Sequence, residues 1–348
     1  MVVVDAEMAL LCQKALSISQ TGGIIAALAL KVTFATIGFF AQLYVSIWKN
    51  HFSKTFNRNA RLLLNLHYAF VIISCFGTIA SDGFDFFRLT IGKSIRADSD
   101  CLVPPISPVT GVSLKIVKLF GTSGTSLSMF ALTIERIYAT LAPQTYQKVS
   151  IKFGVFLASL TIIANLICFA LHAYYADYSQ DVYLTTITKG AMQMSLYMLY
   201  CSIGIEIFVI LAQSVLMLVN VGIVRGNNQI LKSLNYKSQI RENVESLKYL
   251  CSLSFIHACL YLVMAILMPT VANVQTDETK KQLTTITTEV ITIYFVALPL
   301  VYLWRSFVKT RSTRLVQAIH YIGDNENRVK MENTKHFELL DQMLNKRR

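Results

Sequence analysis

The amino-acid sequence predicts an all-α integral membrane protein: a seven-helix bundle with its N-terminus outside and a short amphipathic helix after the seventh span. Three observations support this prediction. Hydrophobic residues make up 54% of the 348 residues and charged residues only 15%, which is less charge than the surface of a soluble protein of this size carries. The apolar residues gather into seven long runs. Lysine and arginine concentrate on one side of these runs.

Each of the seven apolar runs is long enough to cross the hydrocarbon core of a bilayer, which takes about 20 helical residues. Backbone polar groups in lipid must be satisfied within the segment, so each run is predicted to be helical. The runs cover 23–48, 62–82, 111–134, 153–175, 192–224, 249–272 and 284–304. The chain is therefore predicted to have an extracellular N-terminus (1–22), a seven-transmembrane bundle (23–304) and a cytoplasmic basic tail (305–348).

The basic residues predict the orientation of the bundle. With the N-terminus outside, the inner segments hold 22 of the 32 lysines and arginines, and the outer segments hold seven. Because positive loops favour the cytoplasmic side, we predict an outer N-terminus and an inner C-terminus. This asymmetry accounts for the net charge of +12, so the lipid bilayer is the expected environment and no nucleic-acid partner is expected.

The cysteines and histidines indicate neither a metal site nor an enzyme. Cys12 and Cys101 fall on the outer, oxidising side and can form a disulfide, whereas the other five cysteines lie in or beside spans as apolar fillers. His67 and His257 have no carboxylate nearby in the sequence, so we interpret them as core residues rather than metal ligands. No cofactor is expected, and no cluster of acids, bases and nucleophiles indicates catalysis.

Four charged residues at membrane depth are candidates for ligand contacts or for mutual pairing, because a lone charge is costly there. Lys31 in the first span and Glu289 in the seventh face neighbouring positions of a closed ring, which favours a pair. Lys118 in the third span either extends to the outer surface or faces inward toward a ligand. Glu206 in the fifth span should be protonated or paired, with Lys118 as one partner, and it is the leading candidate for a residue of the binding cavity.

Two prolines and the basic tail are the remaining features of the last spans. Pro269 in the sixth span and Pro299 in the seventh remove backbone hydrogen bonds, so both are candidate hinges. After the seventh span, an apolar stripe that begins at Trp304 and Phe307 lies opposite a basic stripe. This pattern favours an amphipathic helix on the anionic inner leaflet, with a solvated basic tail as the alternative.

The third span ends in the hexapeptide Glu135-Arg136-Ile137-Tyr138-Ala139-Thr140. One interpretation is that this acid and base only satisfy the membrane interface at the helix end. The other is a switch, in which Arg136 changes partners between two states and Glu135 favours the resting state. Activation would then open a crevice between the third, fifth and sixth spans, where the C-terminal helix of a G-protein α subunit could bind.

The pattern Glu135-Arg136-x-x-Ala139-Thr140, followed by Tyr146, resembles the signature of nematode seven-transmembrane serpentine chemoreceptors of the alpha and alpha–beta classes. The Leu298-Pro299-Leu300 stretch agrees with this resemblance, whereas Gln147 replaces the glutamate that the family has after the tyrosine. The resemblance implies a plasma-membrane G-protein-coupled receptor on the cilia of sensory neurons. Such a receptor detects an external small molecule and activates a heterotrimeric G protein, with Glu135, Arg136, Tyr138, Thr140 and Tyr146 in the coupling region.

A ligand-gated channel or transporter of the plasma membrane is the alternative function. Seven-helix odour-gated channels have their N-terminus inside, which the distribution of basic residues opposes. A retinal-binding pump would need a lysine in the seventh span for its Schiff base, and 284–304 contains none. The sequence therefore favours a receptor over a pump or a channel.

Overall fold

The computed structural model describes residues 2–48, 56–95, 101–146, 148–179, 182, 184–185, 189–226, 234–273, 290–305 and 307. The helices in this part of the chain are α1 (Val2–Gln20), α2 (Gly22–Trp48), α3 (Arg58–Phe87), α4 (Lys93–Ile95), α5 (Pro108–Leu141), α6 (Pro143–Tyr146), α7 (Lys152–Tyr174), α8 (Lys189–Gly226), α9 (Leu234–Asn273) and α10 (Thr292–Arg305). A π-helical turn, Arg88–Gly92, joins α3 to α4. The prediction of an all-α protein is confirmed.

Every predicted span contains a helix, in the order α2, α3, α5, α7, α8, α9 and α10. Among the described residues, five helical segments are long and apolar enough to cross a bilayer: Gly22–Ile47, Arg58–Ile95, Lys152–Tyr174, Met194–Val224 and Gln239–Leu267. The 34-residue helix α5 is longer than most of these, but small and polar residues between Gly121 and Ser126 lower its mean hydropathy. Its central position in the bundle explains this composition, because α5 packs against α3, α7, α8 and α9 rather than facing lipid alone.

Helices α3 and α5 approach each other closely because glycines remove side chains from their contact. A Cβ atom at Gly77 would collide with the backbone of Lys118, and one at Gly121 would collide with the backbone of Ser74. Small residues at helix contacts are the usual way in which membrane helices pack tightly. This packing fixes α3 beside α5 and so determines which polar side chains can meet between them.

The helix of the second predicted span is longer than the sequence predicted. The prediction placed its end at Asp82, but α3 continues to Phe87 and helical structure continues through the π-helical turn to Ile95. Asp82 and Asp85 therefore lie on a helix and are buried, rather than at the start of an outer loop. Hydropathy shows where the apolar residues end, whereas the helix continues because its polar side chains find partners within the bundle.

The end of the bundle that carries Cys12 and Cys101 is called the disulfide end. A disulfide joins these two cysteines, whose Cα atoms are 5.6 Å apart. Helix α1 buries Ala15 and Ile18 in an apolar cluster with residues of α2, of the π-helical turn and of the connecting segments: Ile24, Leu28, Leu89, Val103 and Leu184. An isolated antiparallel bridge between Ile106 and Val182 holds the α7–α8 connection against the segment before α5.

The chain forms two compact units, Met1–Pro299 and Leu300–Arg348. The first unit contains all of the contacts described below. In the second, the structure describes residues 300–305 and 307, which are helical. The predicted amphipathic helix of the tail lies mostly outside the described residues, and the predicted boundaries at 22 and 304 remain predictions.

Candidate functional site

The acid and base predicted to form a switch are a buried ion pair on α5. Arg136 has 0% of its surface exposed, and its Nε and Nη2 donate to the two carboxylate oxygens of Glu135 at 2.5 and 2.6 Å. A bidentate contact of this kind is stronger and more specific in direction than a single charged hydrogen bond. The pair therefore holds the guanidinium in one orientation at what we call the arginine end of the bundle, the end that carries Arg136.

The orientation of Arg136 directs its remaining donor to helix α9. Its Nη1 donates to Ser246 Oγ at 2.7 Å and to Asn243 Oδ1 at 3.3 Å. The Asn243 amide in turn donates to the Ala139 carbonyl oxygen at 3.0 Å. These contacts join α5 to α9 at the arginine end through a desolvated charge, so that α9 cannot move away from α5 without breaking them.

Helix α8 is joined to the same end of α5. Asn220 Nδ2 donates to Thr140 Oγ1 at 2.9 Å, and both side chains are buried. The resemblance places Thr140 in the coupling region. In the structure its hydroxyl does not bond to Arg136 but connects α5 to α8. The residues of the hexapeptide hold three helices together, and the structure has this end closed.

Tyr146 on the short helix α6 also contacts the pair. Its hydroxyl donates to Glu135 Oε1, and Arg136 Nη2 lies 3.4 Å from the same hydroxyl oxygen. Burial raises the pKa of Tyr146, which keeps the phenol protonated and able to donate. The segment after α5 is therefore tethered at Tyr146 although Gln147, which lies outside the described residues, replaces a glutamate. Tyr138 supports this position through an edge contact with the Tyr146 ring, centroids 5.9 Å apart.

Lys31 and Lys118 share a partner that the sequence analysis did not name. Asp82 Oδ2 lies 2.9 Å from Lys31 Nζ and 3.0 Å from Lys118 Nζ, so one carboxylate bridges α2, α3 and α5. Glu206, for which Lys118 was one possible partner, contacts His257 instead, and Lys118 pairs with Asp82. Glu289, the predicted partner of Lys31, lies outside the described residues.

Lys118 does not extend to the outer surface, which was one of its two predicted arrangements. Only 3% of its surface is exposed, and Lys115 one turn earlier is buried as well. A buried ammonium requires a nearby anion because its loss of hydration is costly. Asp82 provides that anion, which makes the lysine part of the packing between α3 and α5.

Glu206 contacts a histidine at the centre of the bundle. Its Oε1 lies 2.8 Å from His257 Nδ1, and the opposite ring nitrogen of His257 lies 3.1 Å from Thr125 Oγ1. His67 lies between Ser128 Oγ and Tyr294 OH, each 2.9 Å from a ring nitrogen. Both histidines thus act as hydrogen-bonded core residues that link helices, in agreement with their interpretation from the sequence.

The sequence analysis did not single out several polar residues of these clusters, among them Asp82, Asn220, Asn243 and Ser246, nor Asp85 on α3, which accepts from the Thr185 backbone N–H. Asp82 and Asp85 continue a polar stripe on α3 that begins with Ser74, Thr78 and Ser81 at helical spacing. That spacing was a signal for a buried polar face. Asn243 and Ser246 lie in a segment rich in charged residues, where nothing in the sequence distinguishes a buried amide from an exposed one.

The candidate hinges are helical in the structure. Helix α9 continues through Pro269 to Asn273, and α10 continues through Pro299. A proline within a continuous membrane helix is compatible with a hinge or with a fixed bend. The hinge role of both residues stays a prediction.

A cavity of about 110 Å³ lies between α5, α7, α8 and α9. Its walls are mainly apolar, with His172, Ser195 and Ser202 among its polar groups. Lys31, Lys118 and Glu206, which the sequence analysis named as ligand contacts, are not among the residues that line this cavity. The charged clusters and the cavity are thus separate features of the bundle.

A multi-span helical bundle with an arginine-centred cluster at one end of its central helix is typical of seven-transmembrane receptors. The family model of the serpentine type 7TM GPCR receptor class ab chemoreceptors matches residues 9–344. The chain belongs to this family, and it is a multi-pass membrane protein and not an enzyme. This confirms the family resemblance found in the hexapeptide.

A curated relative supports the same family. The chain is 26% identical over 240 residues to the serpentine receptor class beta-6 of Caenorhabditis elegans. The aligned region covers 66% of this chain and 66% of the relative, so it spans just under two thirds of the relative's length.

Proposed function

We propose that this protein is a plasma-membrane chemosensory receptor that binds an external small molecule and activates a heterotrimeric G protein. In this proposal the N-terminus and the disulfide end face outward, and the arginine end faces the cytoplasm. The excess of basic residues on the arginine side supports this orientation. Family membership supports a chemosensory role, for which the cilia of sensory neurons are the expected location.

The observation that carries the proposal is the closed arrangement around Arg136. A fully buried guanidinium joins α5 to α9, and a neighbouring amide joins α5 to α8. These three helices surround the place where a helix of the G protein would bind. Releasing Arg136 from Ser246 and Asn243 would separate α9 from α5 and expose a polar-lined crevice.

Activation requires that the ligand bind the open state more tightly than the closed one, because only differential affinity shifts an equilibrium. Glu135 and Tyr146 lie in the same continuous segment, α5 to α6, as Arg136. Their contacts with Arg136 can therefore persist when α9 moves away. The contacts of Arg136 with α9 are the ones that must break. The α5–α9 contacts are therefore the switch in this proposal, and Glu135 with Tyr146 holds the guanidinium in position.

The basic tail completes the proposed arrangement. Residues 305–348 carry ten lysines and arginines. A cytoplasmic tail of this charge is attracted to anionic lipids of the inner leaflet. The predicted amphipathic helix beginning at Trp304 would place this charge at the membrane surface.

Substitution of Arg136 tests the proposal. Arg136→Ala should abolish ligand-stimulated nucleotide exchange on the G protein, because it removes the group that changes partners. Arg136→Lys should retain only part of the response, since an ammonium keeps the charge but loses the bidentate geometry. Arg241→Ala removes an exposed arginine from α9 and is the matched control for loss of one positive charge.

Receptor at the cell surface is measured for each variant through an N-terminal epitope tag on intact cells. Detection of the tag without permeabilisation also tests the orientation. A full ligand response from Arg136→Ala at normal surface level would contradict the coupling role. A tag accessible only after permeabilisation would favour a channel-like topology instead.

A further inference from the structure

The cavity between α5, α7, α8 and α9 differs chemically from the charged clusters of the bundle. Its apolar walls come from all four helices and include Ile116, Leu119, Phe120, Phe169, Leu199 and Met264. No lysine, arginine, aspartate or glutamate is among the described residues that line it, although the buried Lys115 beside Ile116 interacts electrostatically with His172. An ionised ligand group would lose its hydration there without an opposite charge in the wall itself, which is strongly unfavourable. The cavity therefore favours a neutral molecule.

One polar group in the wall can select an oxygen-containing ligand. His172 is buried, and its Nε2 lies 2.9 Å from Ser195 Oγ. Its Nδ1 lies 3.2 Å from the sulfur of Met198, and a thioether is only a weak acceptor. We assign to His172 the tautomer with its proton on Nδ1, in which the serine hydroxyl donates to Nε2 and the Nδ1–H faces that sulfur. A carbonyl or ether oxygen in the cavity would be a stronger acceptor for the same proton.

The size and the position of the cavity limit the ligand further. An enclosed apolar cavity of about 150 Å³ accommodates benzene, which has six non-hydrogen atoms, so about 110 Å³ accommodates roughly four or five such atoms or the head of a longer molecule. Phe169 of the wall is 37% exposed, so the cavity wall reaches the surface of the bundle at this ring. We infer that a molecule dissolved in the bilayer would enter beside this ring.

We propose that this cavity binds a neutral, largely apolar molecule with one oxygen acceptor, which enters from the membrane and accepts a hydrogen bond from His172. This inference rests on the proposed function in one respect: the bound molecule is taken to be the ligand of the receptor. The binding itself requires no G protein. It can therefore be tested separately from signalling.

Cys168 in the wall of the cavity provides a direct measurement. In a variant with Cys201, Cys251 and Cys259 changed to alanine, the purified receptor in vesicles is labelled with N-ethylmaleimide, and modification of Cys168 is followed by mass spectrometry. We expect N-ethylmaleimide to react, and a maleimide of similar size that carries a carboxylate, N-(2-carboxyethyl)maleimide, to react much more slowly. Reaction with both at the same rate, or with neither, would contradict a neutral cavity open to the bilayer.

Four probes of equal chain length then define the ligand class: 2-pentanone, pentane, pentanoate and pentylamine. 2-Pentanone should slow the labelling of Cys168 at the lowest concentration. Pentane should need about three to ten times more, the factor expected for one hydrogen bond. Pentanoate and pentylamine should give no protection. Protection by either ion equal to that by 2-pentanone would overturn the assignment.

Two substitutions locate the binding. Leu199→Trp fills the cavity from a position that is 7% exposed, whereas Leu218→Trp adds the same bulk on the same helix at a position that is 73% exposed. Protection by 2-pentanone should be lost only in the first variant. His172→Phe keeps a ring of similar volume but removes the hydrogen-bond donor. In this variant 2-pentanone and pentane should protect Cys168 at about the same concentration.

The outcomes separate this inference from the proposed function. Arg136→Ala should leave the protection of Cys168 unchanged while signalling is lost. If protection and its loss in Leu199→Trp are as expected but no G protein responds, the cavity assignment stands and the signalling proposal fails. If 2-pentanone protects Leu199→Trp as well as the unmodified receptor, the cavity is not the site, whatever the signalling result.

Discussion

The contact between Arg136 and Ser246 makes a quantitative prediction about basal activity. Ser246→Ala removes the hydroxyl that accepts a 2.7 Å hydrogen bond from Arg136 Nη1. The guanidinium is fully buried, so water cannot replace that acceptor while α9 stays against α5. The substitution therefore destabilises the closed arrangement and has little effect on an open one, in which Arg136 is hydrated.

The magnitude follows from the environment of the bond. Leaving a buried donor without its acceptor costs about 1–3 kcal/mol. Nη1 keeps a weaker contact with Asn243 at 3.3 Å, so the lower part of this range applies, about 1.5 kcal/mol. Since about 1.4 kcal/mol changes an equilibrium constant tenfold, the open fraction and the basal signal should rise roughly tenfold. Asn243→Ala should have a larger effect because it also removes the bond to Ala139.

The assay is nucleotide exchange on the G protein without ligand, divided by the amount of receptor at the surface. Ser252→Ala is the matched control, because Ser252 lies on the same helix and its hydroxyl donates to the Lys248 carbonyl oxygen within that helix. Its basal signal should equal that of the unmodified receptor. An unchanged or lower basal signal from Ser246→Ala at normal surface level would refute the switch role of the α5–α9 contact.

Two further predictions concern stability, measured as the unfolding temperature of the purified receptor in detergent. Asp82→Asn removes the anion between two buried lysines and should destabilise by about 3–5 kcal/mol. Glu245→Gln breaks a half-exposed pair with Lys248 and should cost at most about 1 kcal/mol; equal losses would show that Asp82 is not structurally important. Gly121→Ala should lower the unfolding temperature, because its Cβ would collide with α3. Its control is Gly204→Ala, whose Cβ meets open space and which should be neutral or stabilising by up to about 1 kcal/mol. An unchanged unfolding temperature for Gly121→Ala would contradict close packing of α3 and α5.

The sequence was sufficient for the positions of the spanning helices. Apolar runs of about 20 residues must be helical in lipid whatever they pack against, so the runs from 23–48 to 284–304 could be located without tertiary information. The helix ends were less predictable. Helix α3 continues past Asp82 because Asp82 and Asp85 find buried partners at Lys118 and Thr185, which depends on α5 and on the α7–α8 connection.

The candidate switch could be found from the sequence because an adjacent acid and base at the end of a membrane helix are unusual. The partners of Arg136 on the other helices could not be found from the sequence. Asn243 and Ser246 are more than 100 residues away along the chain, and only the packing of α9 against α5 brings them to Arg136. Asn220 reaches Thr140 on the same end for the same reason.

For the charged residues at membrane depth, too, the sequence identified the residues but not their partners. The sequence identified Lys31, Lys118 and Glu206 as residues that need partners, because the cost of an isolated charge in lipid is a property of the residue and its depth. It could not assign those partners, since an ion pair depends on distances of a few ångströms between helices. Close packing at Gly77 and Gly121 places Asp82 beside both lysines and leaves Glu206 with His257.

The sequence by itself thus determined the all-helical membrane fold and the location of the candidate switch. The tertiary structure decided the partners of each buried polar group and the presence of an uncharged cavity. The physical reason is the range of the interactions. Burial in lipid and helix formation act on continuous segments, whereas hydrogen bonds, ion pairs and cavities exist only where separate helices come within contact distance.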